Sequence, residues 1–311
     1  MKLSPIKIEW SQPRNSGKAP LRVKLRREYW AKGDAERDAG LTIPEEVECV
    51  RDLVYGSDPD WHRLDLYRPK DAEGFLPVIV SVHGGAYFYG TKETYQYYCA
   101  DLARRGFAVV NFNYRLAPEY RFPAPLQDTN TVLHWLVEHG EEYQVDINNI
   151  FMAGDSAGAQ IASQYAAILT NHNYAKLMGI ETPPVTIRAL GLNCGMYDLK
   201  RLASQRLPGL MYMDYLGVDP RYFRGELDVL SRIGANYPPV HLVSAPNDFL
   251  FEECGPMAEF LHSRGVEAVC QIYGTPENER VGHVFHVDLR CPEGQQANDD
   301  QTAFFRKHLK K

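Results

Sequence analysis

Ser156 stands at the centre of the run Gly154-Asp155-Ser156-Ala157-Gly158, which follows the apolar stretch Ile150-Phe151-Met152-Ala153 and leads into a helix-forming stretch from Ala159. A chain that turns from strand to helix in so few residues strains its corner residue, and small residues two before and two after let the backbones pass without a clash. The corner hydroxyl then stands clear of the sheet, and the helix N-terminus aims its amides at negative charge developing beside it. Ser156 is therefore the expected nucleophile. Upstream, Val80-Ser81-Val82-His83-Gly84-Gly85-Ala86 closes a second apolar run with consecutive glycines. A tetrahedral oxyanion needs two or three amide donors, and glycines let the backbone approach a substrate with no side chain between. Gly84 and Gly85, with Ala157, are the expected donors, and His83 is expected to shape this loop by hydrogen bonding. A chance glycine-rich turn is the competing reading of either motif alone. Their joint occurrence, each at the end of an apolar run, argues for acyl transfer.

Short β-rich runs alternate with helical stretches along most of the chain, which predicts a largely parallel sheet with helices on both faces. Strands are expected at 48–55, 63–67, 78–82, 108–113, 150–153, 187–193, 240–244 and 268–273, and helices at 95–105, 126–141, 157–171 and 255–264. A short polar turn separates the first two strands, so these should pair antiparallel; the later ones need helical crossovers and should run parallel. Two stretches, 1–44 and about 195–237, do not fit the alternation. They are expected to be an N-terminal arm and a cap insertion, the latter within a catalytic domain spanning 45–311.

Four motifs in one order make the chain resemble the hormone-sensitive-lipase-like α/β-hydrolases, which include many bacterial family IV esterases. They are His83-Gly84-Gly85, Tyr114-Arg115-Leu116-Ala117-Pro118-Glu119, Phe122-Pro123-Ala124 with Asp128, and the elbow around Ser156. The resemblance runs from about residue 64 to about 287. It implies an α/β-hydrolase fold: a mostly parallel sheet of about eight strands flanked by helices, with a small helical cap. The chain departs from the family at Ala86, where many members carry a third glycine, and at Phe249, where proline is common. Ala86 keeps its amide, so a third oxyanion donor stays open.

In this fold the acid and the histidine follow the nucleophile on later strand ends, in that order. Asp248 lies just past 240–244 and is the expected acid, ahead of Asp198 and Asp288; Glu252 and Glu253 resemble the family's acidic pair there. The loop after 268–273 ends in His283-Val284-Phe285-His286. The family's histidine is followed two residues later by phenylalanine, which His283 matches and His286 does not. Asp155 resembles the family's acidic elbow residue and is read as a structural partner. The resemblance thus implies a serine carboxylesterase working through an acyl-enzyme. An amidase of the same fold, similar to arylformamidases, is the alternative, because one triad serves either bond. A ligand-binding relative without catalysis is disfavoured by the presence of all three triad residues.

Tyr87, Phe88 and Tyr89 follow the oxyanion loop, so at least one ring should shorten the acyl side of the pocket; Tyr87 and Phe88 are the expected substrate contacts. Tyr212, Tyr215 and Tyr222 add phenols from the cap. Together they predict a preference for short acyl groups, of about two to six carbons, over lipids. Hydrophobic residues make up 44% of the 311 and charged residues 24%, enough for a large core. A formal charge of -6 offers no broad basic field for nucleic acid. No apolar h-region follows Met1 and no stretch is long and apolar enough to span a bilayer, so a cytoplasmic enzyme acting on small-molecule esters, with no membrane partner, is expected. The six cysteines lack paired spacing, which indicates neither a metal site nor a disulfide framework. The chemistry itself needs no cofactor. The oligomeric state stays open, a homo-oligomer included.

Overall fold

The computed structural model describes residues 17–203, 209–218, 223 and 225–310, apart from the side chains of 202–203 and 209–212. Its elements are, in chain order, α1 (Leu21–Asp38), β1 (Val47–Val54), β2 (Arg63–Pro69), β3 (Leu76–Val82), α2 (Gln96–Arg104), β4 (Ala108–Phe112), α3 (Ala124–His139), β5 (Val145–Asp155), α4 (Ala157–Thr170), α5 (His172–Met178), β6 (Ile187–Asn193), α6 (Leu199–Ala203), α7 (Gly209–Leu216), β7 (Val240–Ser244), α8 (Cys254–Ser263), β8 (Ala268–Ile272) and α9 (Pro292–Lys307). The strands form one sheet in the order β1-β2-β4-β3-β5-β6-β7-β8. β1 and β2, and β2 and β4, pair antiparallel, and every other neighbour pair is parallel.

The central strands are apolar without interruption because both faces are covered. Along β3 the side chains alternate: Val78, Val80 and Val82 join the core shared with α3, α4 and α8, whereas Ile79 joins the core shared with α2 and α9. α4, which carries the candidate elbow at its start, is buried from Ala157 to Ile168. Its small residues let it lie close against β5 and β6.

Besides the short helix α5, which the sequence expectation lacks, two features differ from it. β5 begins at Val145 rather than 150, because Asp146 pairs with Pro77 across a register shift; Asp146, Asn148 and Asn149 read as loop residues. α9 was not expected at all. Its inward face carries Gly294, Ala297, Asn298, Gln301 and Thr302, and only Phe304 and Phe305 supply large apolar groups. A mostly polar buried stripe gives no amphipathic signal.

The arm and the insertion contain helices of their own. Residues 1–16 and Tyr222 lie outside the described residues, as does the side chain of Tyr212. α1 buries Val23 fully, and a guanidinium–carboxylate pair from Arg22 to Asp214, 2.6 Å at Nη2–Oδ1, joins it to α7. Arg27 fastens α1 to the oxyanion-loop side of the molecule. It donates to the Phe88 carbonyl at 2.7 Å, to the Ala117 carbonyl at 2.9 Å and to Glu119 at 2.8 Å.

Candidate active site

Ser156 sits between β5 and α4 with φ 51° and ψ −116°, a backbone region that non-glycine residues seldom occupy. Its amide donates to the Asn193 carbonyl at the end of β6, 2.9 Å away, which ties the turn to the next strand. The flanking glycines are required by packing. A Cβ on Gly158 would stand 2.0 Å from the Val82 carbonyl oxygen, and one on Gly154 would stand 2.6 Å from that of Gly158.

Asp248 and His283 come together from the loops after β7 and β8. His283 Nδ1 is 2.7 Å from Asp248 Oδ1. The carboxylate also accepts the Ser244 hydroxyl at 3.0 Å and the Leu250 amide at 2.9 Å. Burial works against its charge, yet the His283 contact and the Leu250 amide hold its pKa below the usual carboxylate value. Ser156 and His283 line one cavity of about 570 Å³, together with Gly84, Gly85, Ala86 and residues of α1.

The other acids and the other histidine lie elsewhere. Asp198 accepts the Arg201 amide at 2.9 Å and caps α6. Asp288 accepts the Arg290 amide at 3.0 Å. Glu253 pairs with Arg201, and Glu252 is exposed. His286 is buried beneath Tyr98 with neither ring nitrogen bonded, and burial lowers its pKa to about 3.

The oxyanion loop departs from expectation at Gly84. Its amide donates to Tyr95 Oη at 3.0 Å, and that phenol donates onward to Asp155 Oδ2 at 2.7 Å. The Gly84 amide is thus engaged, and a Cβ there would meet Asp155 Oδ2 at 2.3 Å. Among the described residues the amides of Gly85, Ala86 and Ala157 have no protein acceptor. Gly85 and Ala86 have φ of 112° and 50°, and both line the cavity. His83, fully buried, has Nδ1 2.7 Å from the Gly84 carbonyl and is stacked on Tyr114; burial lowers its pKa to about 4. Asp155 is raised to about 6, chiefly by burial.

Tyr87 and Phe88 are not among the residues lining the cavity. Positive φ at both Ala86 and Tyr87 turns these rings away. Tyr87 is stacked on Tyr215 at 3.9 Å and donates to Gln160 Oε1 at 3.1 Å. Phe88 packs against Trp30, Ala19 and Val23. The ring of this trio that does line the cavity is Tyr89, whose hydroxyl donates to Asp34. Tyr87 touches the cavity wall at Met196, with Oη 3.7 Å from its sulfur.

Sequence reasoning passed over Tyr95, Cys194 and the cavity face of α1. Cys194 follows β6, a strand end like those that carry Ser156 and Asp248, and its φ of 48° marks a tight turn. Its sulfur lies within 4.8 Å of Asp248 and His283 polar atoms, and the Val284 amide donates to it at 3.4 Å. Burial keeps it protonated, raising its pKa well above the ordinary value.

An ethyl acetate hydrolase of Pseudomonas putida is 30% identical to this chain over 239 residues, which are 71% of this chain and 69% of that enzyme. The chain belongs to the hormone-sensitive-lipase-like α/β-hydrolase family. The family model BD-FAE matches residues 64–218, from β2 to just beyond α7. Esterase LipI of Mycobacterium tuberculosis is 30% identical over 211 residues, 64% of this chain and 63% of LipI. The chain therefore spans less than two thirds of that relative's length. Among solved structures, esterase B from Lactobacillus Rhamnosis has a TM-score of 0.84 at 25% identity, covering 92% of this chain and 93% of that one. Like its relatives in this family, the protein has the eight-stranded hydrolase sheet. No helix among the described residues is long and apolar enough to cross a membrane.

Proposed function

We propose that the protein is a serine carboxylesterase that cleaves small, short-acyl esters, with Ser156 as nucleophile, His283 as general base and Asp248 as its acid partner. The observation that carries this reading is the 2.7 Å contact of His283 with Asp248 beside a cavity that also holds Ser156. Ser156 Oγ attacks the acyl carbon as His283 takes its proton, and Asp248 fixes the ring tautomer and stabilises the imidazolium. Negative charge on the former carbonyl oxygen is met by amide donors, for which Gly85, Ala86 and Ala157 are the free candidates. His283 returns the proton to the leaving alcohol. A water activated by the same ring then releases the acid.

Met196, with Tyr87 and Tyr215 behind it, supplies the wall that favours short acyl groups. The arm and the insertion act together as the cap over this site, which the Arg22–Asp214 pair supports. Six free cysteines suit a reducing compartment such as the cytoplasm. Turnover of p-nitrophenyl acetate, with a burst equal to one acyl group per chain when deacylation is slow, tests the proposal. Ser156→Ala is expected to abolish both burst and turnover while the protein stays folded; a variant that still turns over ester sinks it.

A further inference from the structure

The cavity is larger than a short-acyl ester of a small alcohol requires. About 570 Å³ lies within the range of sites that enclose drug-sized ligands. If the acyl group is short, the surplus belongs to the leaving alcohol. Chemistry fixes where that alcohol lies: its oxygen must accept a proton from His283, so the group bonded to it rests against the histidine and whatever flanks that ring.

Phe249 flanks it. Its ring centroid is 4.2 Å from that of His283, at an interplanar angle of 42°. Phe249 lines the cavity yet is 74% exposed and belongs to none of the hydrophobic cores. Its backbone is held, because Leu250 on one side donates to Asp248 and Phe251 donates to the Asp248 carbonyl. An apolar ring kept in water beside a histidine, with no packing role, is a surface waiting for an apolar partner. Further aromatic wall comes from Tyr29 and Trp30 of α1 and from Tyr89. The charged side chains that also line it are Lys32, Asp34, Glu36 and Arg37 of α1 and the buried Asp155, and of these Arg37 is already bonded to Asp34, Asp38 and the Thr94 carbonyl.

Resting on the serine-esterase reading, we propose that the leaving-group side is a subsite for an aromatic alcohol, with Phe249 as its specificity-determining residue. In the reaction the Ser156 Oγ–acyl bond forms and the acyl–oxygen bond to the arylalkyl alcohol breaks. The proton of Ser156 passes through His283 to the departing oxygen, and water supplies the proton and hydroxyl that complete hydrolysis. No oxidation or reduction is involved.

The test compares 2-phenylethyl acetate with 2-cyclohexylethyl acetate, whose alcohols match in chain length and reactivity and differ in the ring's π face. Wild type is expected to favour the phenyl ester by about fivefold in kcat/KM, within what an aromatic pair adds beyond its buried area. Phe249→Ala and Phe249→Leu should bring that ratio close to one, whereas Phe249→Tyr should keep it. The leucine variant retains apolar bulk and separates ring recognition from mere hydrophobicity. Two esters turned over at equal efficiency by wild type, or a leucine variant with the wild-type ratio, would overturn the subsite alone. Folded wild type that hydrolyses neither ester would overturn the esterase reading and the subsite with it.

Discussion

Tyr95 joins the two halves of the candidate site, since one phenol oxygen accepts from the Gly84 amide and donates to Asp155. Tyr95→Phe leaves a buried amide and a buried carboxylate without their partner, which should cost about 1–3 kcal/mol in urea unfolding and lower kcat as the loop carrying Gly85 and Ala86 loosens. An unchanged midpoint with unchanged kcat would remove Tyr95 from this role. Asp155 has a pH signature of its own. Its folded pKa is raised to about 6, so the stabilisation from its bound proton is full below about 4 and is lost as pH rises through 6. Wild type should therefore lose about 2 kcal/mol relative to Asp155→Asn between pH 4 and pH 7. Parallel unfolding curves for the two proteins across that interval would contradict the raised pKa. Asp248 shifts the other way, and its charge matters to rate: Asp248→Asn should lower kcat by about 10⁴-fold with the fold retained. A near wild-type rate would move the acid elsewhere, with Glu252 next to test.

At the scale of elements, the contact between α4 and β3 sets the elbow. A methyl group at Gly158 would lie 2.0 Å from the Val82 oxygen and 2.5 Å from that of His83. Both are backbone atoms that cannot swing away, so Gly158→Ala should lose more than about 3 kcal/mol in chemical denaturation, and a loss below about 1 kcal/mol would show that the two elements can part cheaply. The glycines were legible from sequence because a strand-to-helix corner demands them whatever the rest of the chain does. The strands were legible because a sheet covered on both faces needs unbroken apolar runs. Other features depend on partners far along the chain. α9 hides its helical period by burying amides and hydroxyls, such as Gln301, which donates to Asn193 at 2.8 Å. The engagement of the Gly84 amide depends on a phenol eleven residues later, set against it by the 3-10 turn Lys92–Tyr95. Tyr87 and Phe88 look like pocket residues because they follow the glycines, but two consecutive positive φ values redirect them.

For the whole molecule, α1 decides how the cavity is closed. It supplies one wall, and Arg27 anchors it through three acceptors on two loops. Arg27→Ala should free the helix, raising KM several-fold with little change in kcat and speeding amide exchange across residues 21–38. A fall in kcat at constant KM would mean that the helix serves the chemistry rather than the enclosure. Substrate size belongs to this scale too: kcat/KM on p-nitrophenyl esters should peak between about two and six acyl carbons. An optimum at ten carbons or more would disprove the Met196 wall and leave the triad untouched. The triad itself is tested most directly by reacting the protein with a fluorophosphonate and locating the adduct by peptide mass spectrometry. The account predicts one phosphonyl group per chain, on Ser156, lost in Ser156→Ala and strongly slowed in His283→Ala. An adduct on any other residue, or none in a folded protein that hydrolyses esters, would contradict it.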